Sequence, residues 1–273
     1  MVMKKIDDKI RRQYEVEKEL ASNLKNSSWE ERKVLYKGLY DELFKKVPWH
    51  PRLVKKKDKK RRSLELQNQL QLLDKFISRD TVFLEVGPGD CNLALELTKM
   101  VKKVYAVDIS DNLIRSEKEL PNNFELIISD GRSIDAPHNS IDVAYSNQVV
   151  EHFHPEDVSW HIRNVKDVLK PGGIYIILTP HRFKGPCDVS KYFDEESSGL
   201  HLKEWTFSEL IDIFELHKYA KSQVQCLVRG IRLVMPKAGI KSFEYYIGKL
   251  PYRPRKKIAD FTFKGRYYIV AKK

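Results

Sequence analysis

Residues 82–108 open with Val82-Phe83-Leu84-Glu85-Val86, break at Gly87-Pro88-Gly89-Asp90 and end in a second apolar run that closes on Val107-Asp108. A buried strand that runs into a glycine turn lets the backbone approach a ligand closely, because glycine has no Cβ and adopts left-handed φ freely. An acid at the end of the next strand can accept hydrogen bonds from ribose hydroxyls. The stretch therefore reads as the start of a nucleotide-type cofactor site.

Outward from it, short β-rich runs recur at Lys103–Val107, Phe124–Ser129, Ile141–Ser146 and Ile174–Thr179. Helix candidates at Cys91–Met100, Asn112–Glu119 and Glu156–Leu169 separate them. Such alternation implies an α/β fold, a parallel sheet with helices on both faces. Lys170-Pro171-Gly172-Gly173 reads as a turn into the last of these strands. On the amino-terminal side, Ile6–Leu24 and Trp29–Phe44 carry apolar residues at helical spacing, and Leu64–Phe76 carries another stripe. Residues 1–62 are thus expected as a helical cap or lid, with Tyr36, Tyr40 and Trp49 placed to cover a site or simply to pack. On the carboxy-terminal side, Thr206-Phe207-Ser208-Glu209 is a capping box that starts a helix through His217. Gln223–Val234 and Phe261–Val270 then read as strands at the sheet edge. Between them lies a basic, aromatic insertion at about 236–260, with a helix candidate at Ile240–Leu250.

The 273 residues carry a formal net charge of +12, unevenly placed. Residues 1–80 hold twenty-two Lys and Arg against thirteen Asp and Glu, residues 81–180 hold nine against fifteen, and residues 181–273 hold nineteen against ten. An acidic core with basic flanks can attract an anionic acceptor, a nucleic acid or an anionic membrane surface, or can simply be solvated, as for Lys55–Arg62. The amino terminus lacks the apolar centre of a signal peptide and no apolar run approaches the roughly 20 residues of a membrane span, so a cytoplasmic, soluble protein is expected. Cys91, Cys187 and Cys226 have no paired spacing, which points to reduced thiols and to neither disulfide nor zinc.

Three readings of the glycine turn compete. A dinucleotide fingerprint needs a third glycine, and Asp90-Cys91-Asn92 follow instead. A phosphate loop fails because no Gly-Lys-Ser/Thr follows. What remains is Glu85-x-Gly87-x-Gly89 with Asp108 nineteen residues beyond Gly89. Together with Ser129-Asp130-Gly131, the run Ile141-Asp142-Val143-Ala144-Tyr145-Ser146-Asn147-Gln148-Val149-Val150-Glu151-His152, and Leu169–Gly173, this resembles the class I S-adenosylmethionine-dependent methyltransferases, type 11 branch, over roughly residues 72–180. The resemblance implies a Rossmann-like, mostly parallel sheet of seven strands with the last antiparallel, spanning 63–273.

It also implies roles. S-adenosyl-L-methionine would be the cofactor: Gly87 and Gly89 border its methionyl part with Glu85 nearby, Asp108 holds the ribose diol, Ile109 packs on adenine, and Asp130 before Gly131 accepts from the adenine amino group. Asn147 and Gln148 line the methyl donor. From the residues alone, Asp108 can instead cap a helix and Asp130 can be a turn residue. His152, His181 and His201 are the candidate catalytic bases, at the carboxyl-end rim of the strands. No Asp/Asn-Pro-Pro-aromatic motif follows strand four and no acid cluster suggests a metal, so the expected chemistry is metal-independent O-methylation of a small-molecule or glycan acceptor. Residues 185–205 resemble the acceptor loop of methyltransferases of cell-surface polysaccharide biosynthesis. N-methylation, a nucleic-acid-binding protein or RNA methyltransferase using the basic flanks, and an NAD-dependent oxidoreductase stay open as alternatives.

Overall fold

The computed structural model describes residues 7–55, 58–110 and 120–273; the helix candidate at 112–119 lies outside them. Eight strands form one sheet: β1 (Val82–Val86), β2 (Lys103–Asp108), β3 (Phe124–Ile128), β4 (Ile141–Asn147), β5 (Leu169–Leu178), β6 (Lys221–Val228), β7 (Ile231–Met235) and β8 (Arg266–Lys272). Their spatial order is β3-β2-β1-β4-β5-β8-β6-β7. The first five are mutually parallel, and β8 runs antiparallel to both β5 and β6. The fold is the mostly parallel, Rossmann-like α/β architecture with antiparallel strands at one end.

The sheet has one strand more than the seven expected. Gln223–Val234 is not a single strand but a hairpin of β6 and β7, because Arg229 and Gly230 both adopt positive φ, 50° and 81°. Two successive residues of that kind make the tight turn whose twist matches a hairpin. Residues 261 and 262, expected in the last strand, instead end a helix, α9 (Tyr252–Thr262), which follows α8 (Lys237–Gly248). Ala259 and Phe263, four apart, bury against the core and fix its helical register. Pro171-Gly172-Gly173 do not form a separate turn: they lie within β5 as an irregularity, where Leu169 pairs with Ile141 and Ile174 with Val143.

Period-two alternation sends Leu84 and Val86 into one core layer, with α6 (Pro155–Val168) and α7 (Phe207–Leu216), and Phe83 into the other, with α5 (Asn92–Leu97) and α4 (Lys59–Leu73). The capping box expected at Thr206 and Glu209 starts α7 as read. The remaining helices, α1 (Asp8–Lys25), α2 (Trp29–Lys46) and α3 (Pro51–Lys55), precede α4. Val16, Leu20 and Leu24 of α1 pack with Leu39 and Leu43 of α2 and with Leu200 and Leu202 beyond β5. The expected boundary after residue 62 falls inside α4.

What fastens this cap is charge. Arg32 of α2, only 2% exposed, donates from Nε to Asp157 Oδ2 (2.8 Å) and from Nη2 to Oδ1 (2.9 Å). Tyr36 donates its hydroxyl to the same carboxylate (2.9 Å) and accepts from the His154 N–H (2.8 Å). Arg132, beyond β3, adds its Nε at 2.9 Å and lies 3.5 Å over the Trp29 ring. Burial pushes the Asp157 carboxyl upward, but the Arg32, Arg132 and Tyr36 donors outweigh it and hold it below the usual range. Truncating one partner of such a pair leaves the other charge buried and uncompensated, at a cost of about 3–5 kcal/mol. Asp157→Ala is therefore expected to lower the urea unfolding free energy by about that amount; a loss below about 1 kcal/mol would show that the hub is not what holds α2.

Candidate active site

A cavity of about 700 Å³ opens at the carboxyl ends of β1, β2 and β4. Its floor is made by the loops after those strands, including Gly87, Gly89, Asp108, Ile109, Asn147 and Gln148. Its roof comes from the cap, through Tyr36, Tyr40 and Arg52. Gly87 is required twice over. Its φ is +64°, and a Cβ there would lie 2.6 Å from Val149 Cγ2. Gln148 also takes positive φ, 58°, while its N–H bonds Leu178 O at 2.9 Å; this strained residue turns the chain under the cavity.

The cofactor residues fall into two groups. Asp108 lines the cavity and accepts from the N–H groups of Ile109 (2.7 Å) and Ser110 (3.3 Å). Burial raises its pKa, with the N–H groups of Ile109, Ser110 and Gly89 opposing. Gly131 lines the cavity too, at φ +98°, its backbone against the Tyr36 ring. Asp130 does not line it. Its Oδ1 accepts from Ser133 N–H (2.8 Å) and Arg132 N–H (3.0 Å). Burial pushes this carboxyl up, but those donors together with Lys33 leave it below the ordinary value. Here the geometry is that of the turn residue rather than of an adenine acceptor reaching into the cavity.

Glu85 sits below the glycine turn, where a side cavity of about 130 Å³ begins. It is 5% exposed, and Oε2 has no hydrogen-bond partner. Burial, with Asp90 and Asp108 nearby and the Ala94 N–H opposing, pushes its pKa to about 8. A buried carboxylate oxygen without a donor is costly. The α-ammonium of a methionyl group is a donor that would satisfy it, and a ribose diol suits Asp108. The donor set thus fits an aminoacyl nucleoside.

The three expected bases separate sharply. His152 lines the cavity. Its Nδ1 bonds the Leu200 carbonyl at 2.8 Å and so carries the proton, leaving Nε2 to accept from Arg52 Nη2 at 2.9 Å. Burial, Arg52 and His201 push its pKa well below the usual value, so the ring is neutral. His201 lies behind it, ring centroids 4.9 Å apart, with Nδ1 on Glu204 Oε1 at 2.8 Å. Burial opposes its charge, but Glu204, Glu151 and Asp188 outweigh that and raise its pKa.

His181 must be withdrawn as a candidate base. It is 3% exposed, outside the cavity wall, and stacked among Phe183, Phe207 and Phe263. Its Nδ1 accepts from Phe183 N–H (3.2 Å) and Nε2 faces Glu244 Oε1 (2.8 Å). Glu244 also accepts from the N–H groups of Phe207 and Ser208 (both 2.9 Å), so His181 helps tie α8 to the start of α7.

The sequence reading missed Glu151 and Arg52. Glu151 is fully buried beside His152 and His201, and one ligand atom from each of the three lies within 4.8 Å of the others. Thr179 donates its hydroxyl to Glu151 Oε2 at 2.9 Å. Adjacency of Glu151 and His152 was a usable signal; nothing in the spacing links them to residue 201 or 52. Of the two alternatives for Trp49 the structure takes packing: it lies against the α1–α2 apolar cluster, away from the cavity wall, and donates to Lys9 O at 3.3 Å.

Residues 84–177 match the sequence profile of a methyltransferase domain. These residues form a class I S-adenosylmethionine-dependent methyltransferase domain of the type 11 branch. S-adenosylmethionine is the cofactor of this methyltransferase domain, and the chemistry of Gly87, Asp108 and Glu85 would fit it. Phosphoethanolamine N-methyltransferase 1 of Triticum aestivum is 24% identical over an alignment of 196 residues that covers 62% of this chain and 38% of that protein. The chain thus spans well under half the length of that relative. Among solved structures, a methyltransferase from Archaeoglobus fulgidus has a TM-score of 0.54 at 17% identity, covering 78% of this chain and 94% of that one. Phosphoethanolamine N-methyltransferase 1 of Haemonchus contortus, solved with phosphoethanolamine and S-adenosylhomocysteine, has a TM-score of 0.58 at 13% identity, covering 90% and 50%. At these identities the two structures show the shared fold. No helix among the described residues is long and apolar enough to cross a membrane.

Asp108→Ala is expected to weaken S-adenosylhomocysteine binding about 10-fold or more in calorimetric titration, with an unchanged circular dichroism spectrum; unaltered affinity would remove Asp108 from the ribose site. Glu85 predicts a pH signature. Its folded pKa of about 8 lies above the ordinary 4.5, so the carboxyl is neutral in both states at low pH. As pH rises through that window the unfolded chain loses the proton first, and stability falls. Glu85→Gln lacks this penalty. The thermal midpoint of the variant should gain on wild type between about pH 5 and 8 and then level off, and parallel midpoint curves would refute the burial argument.

Proposed function

We propose that this chain transfers the methyl group of S-adenosylmethionine to a hydroxyl oxygen of a small acceptor that carries an anionic group. Residues 1–62 act as its lid. The observation that supports this reading is the Arg52 guanidinium in the cavity wall, where it lies 4.8 Å over the Tyr40 ring and 2.9 Å from His152 Nε2. Arginine matches carboxylate and phosphate geometry, and its bond to a neutral imidazole is easily exchanged for one to an anion.

The sulfonium methyl is electrophilic by itself. The protein therefore has to align a nucleophile with the carbon–sulfur bond and exclude water, which can supply roughly 7–11 kcal/mol. The roof of α2 and α3 serves both: it encloses the same cavity as Asn147 and Gln148, and the acceptor's anion takes the Arg52 guanidinium in place of His152. A cavity of about 700 Å³ has the size of small-ligand sites, which favours a metabolite or a sugar unit over a nucleic-acid strand. The names of the wheat and Haemonchus relatives favour a second reading within the same site, N-methylation of a small phosphorylated amine.

The test is methyl transfer from labelled cofactor to paired acceptors, hydroxyl and amine, each with and without a phosphate or carboxylate. Anionic hydroxyl compounds should be the substrates. Arg52→Ala should raise their KM about 10- to 100-fold and leave the KM for S-adenosylmethionine nearly unchanged. Equal turnover of neutral and anionic acceptors would overturn the reading, and exclusive methylation of amines would replace it with the second.

A further inference from the structure

Glu151, His152 and His201 are held as a ligand set is held. Each is anchored by one atom and offers another. His152 is fixed through Nδ1 by the Leu200 carbonyl (2.8 Å), His201 through Nδ1 by Glu204 Oε1 (2.8 Å), and Glu151 through Oε2 by the Thr179 hydroxyl (2.9 Å). Glu204 is itself positioned by the Cys187 N–H at 2.6 Å. That leaves His201 Nε2, Glu151 Oε1, which is buried with no hydrogen-bond partner, and His152 Nε2, whose one partner is Arg52. One ligand atom from each residue lies within 4.8 Å of the other two.

Anchoring an imidazole through its second nitrogen to a carboxylate or carbonyl is how proteins orient metal-binding histidines. Two imidazoles and one carboxylate suit first-row transition metals and leave coordination positions open. Arg52 does not complete the cluster. It bonds His152 Nε2 but leaves Glu151 Oε1 without a donor.

We propose that Glu151, His152 and His201 bind a divalent first-row transition metal ion at the His152 wall of the cavity. This departs from the metal-free chemistry expected from the sequence, and its catalytic use rests on the hydroxyl-methylation reading above. The ion displaces Arg52 from His152 and frees the guanidinium for the acceptor's anion. The acceptor hydroxyl oxygen takes an open position on the metal, loses its proton to solvent, and attacks the sulfonium methyl. An oxygen–carbon bond forms, the carbon–sulfur bond breaks with its electron pair kept by sulfur, and S-adenosylhomocysteine leaves.

The experiment is titration of the chelator-treated full chain with Co²⁺, followed by calorimetry and by visible absorption of the bound ion. A single equivalent should bind in the micromolar range or tighter. Affinity should fall about 10-fold or more in His201→Ala and Glu151→Gln, stay unchanged in the exposed control His138→Ala, and rise in Arg52→Ala. S-adenosylhomocysteine binding by each variant reports folding. If His201→Ala and Glu151→Gln fail to fold, Arg52→Ala decides: tighter Co²⁺ binding supports the site, unchanged binding overturns it. Absence of Co²⁺ binding by wild type also overturns it. Should the chelated protein still methylate hydroxyls at full rate, the metal role falls and the acceptor reading stands; should Co²⁺ bind while no hydroxyl compound is methylated, the acceptor reading falls and the site stands.

Discussion

The Asp157 carboxylate is the constraint on which the rest of this molecule hangs. One buried oxygen pair accepts from Arg32 and Tyr36 of the cap and from Arg132 of the loop after β3. Those donors lie on α2 and on the loop after β3, the carboxylate itself lies on α6, and the apolar contacts around them are non-directional. The carboxylate fixes their angles. With α2 so oriented, Tyr36 lies on the Gly131 backbone and Tyr40 faces the cavity. A looser cap would leave the cavity an open cleft.

Within that enclosure the polar groups are sorted by task. Carboxyl groups, Glu85 below the glycine turn and Asp108 in the cavity wall, gather on one side, where they would suit the ammonium and hydroxyls of an aminoacyl nucleoside. Around His152 the pattern mixes signs: Arg52 stands with it in the cavity wall, and His201 and Glu151 are buried behind it. Electrostatic effects are stronger here than in water because the site is walled by apolar side chains. The uneven charge along the chain has a related consequence. Residues 221–273 carry fourteen Lys and Arg against two acids, and one of those acids, Glu244, is buried on His181. The outer field is therefore positive on the side of β6 to β8, and such a field draws anions toward the molecule.

Local chemistry explains what was legible beforehand. Alternating apolar runs and the glycine turn marked β1 to β5, since a buried parallel strand needs little beyond its own residues. The capping box at Thr206 was readable for the same reason. The β6–β7 hairpin was not, because Arg229 is a poor advertisement for positive φ and the apolar run continues past it. The switch from strand to helix at 261–263 was hidden as well: Ala259 and Phe263 acquire their helical register from the core they enter.

Sequence by itself determined the five parallel strands, the glycine turn and the S-adenosylmethionine cofactor, because each motif behind them lies within one strand and its following loop. Tertiary structure alone decided which histidines meet. His152 and His201 are brought together with Glu151 by the return of the 185–205 loop, while His181 is drawn into an aromatic core by Glu244, sixty-three residues away. Those encounters depend on distance in space between groups far apart in the chain, a quantity that no local pattern of residues encodes.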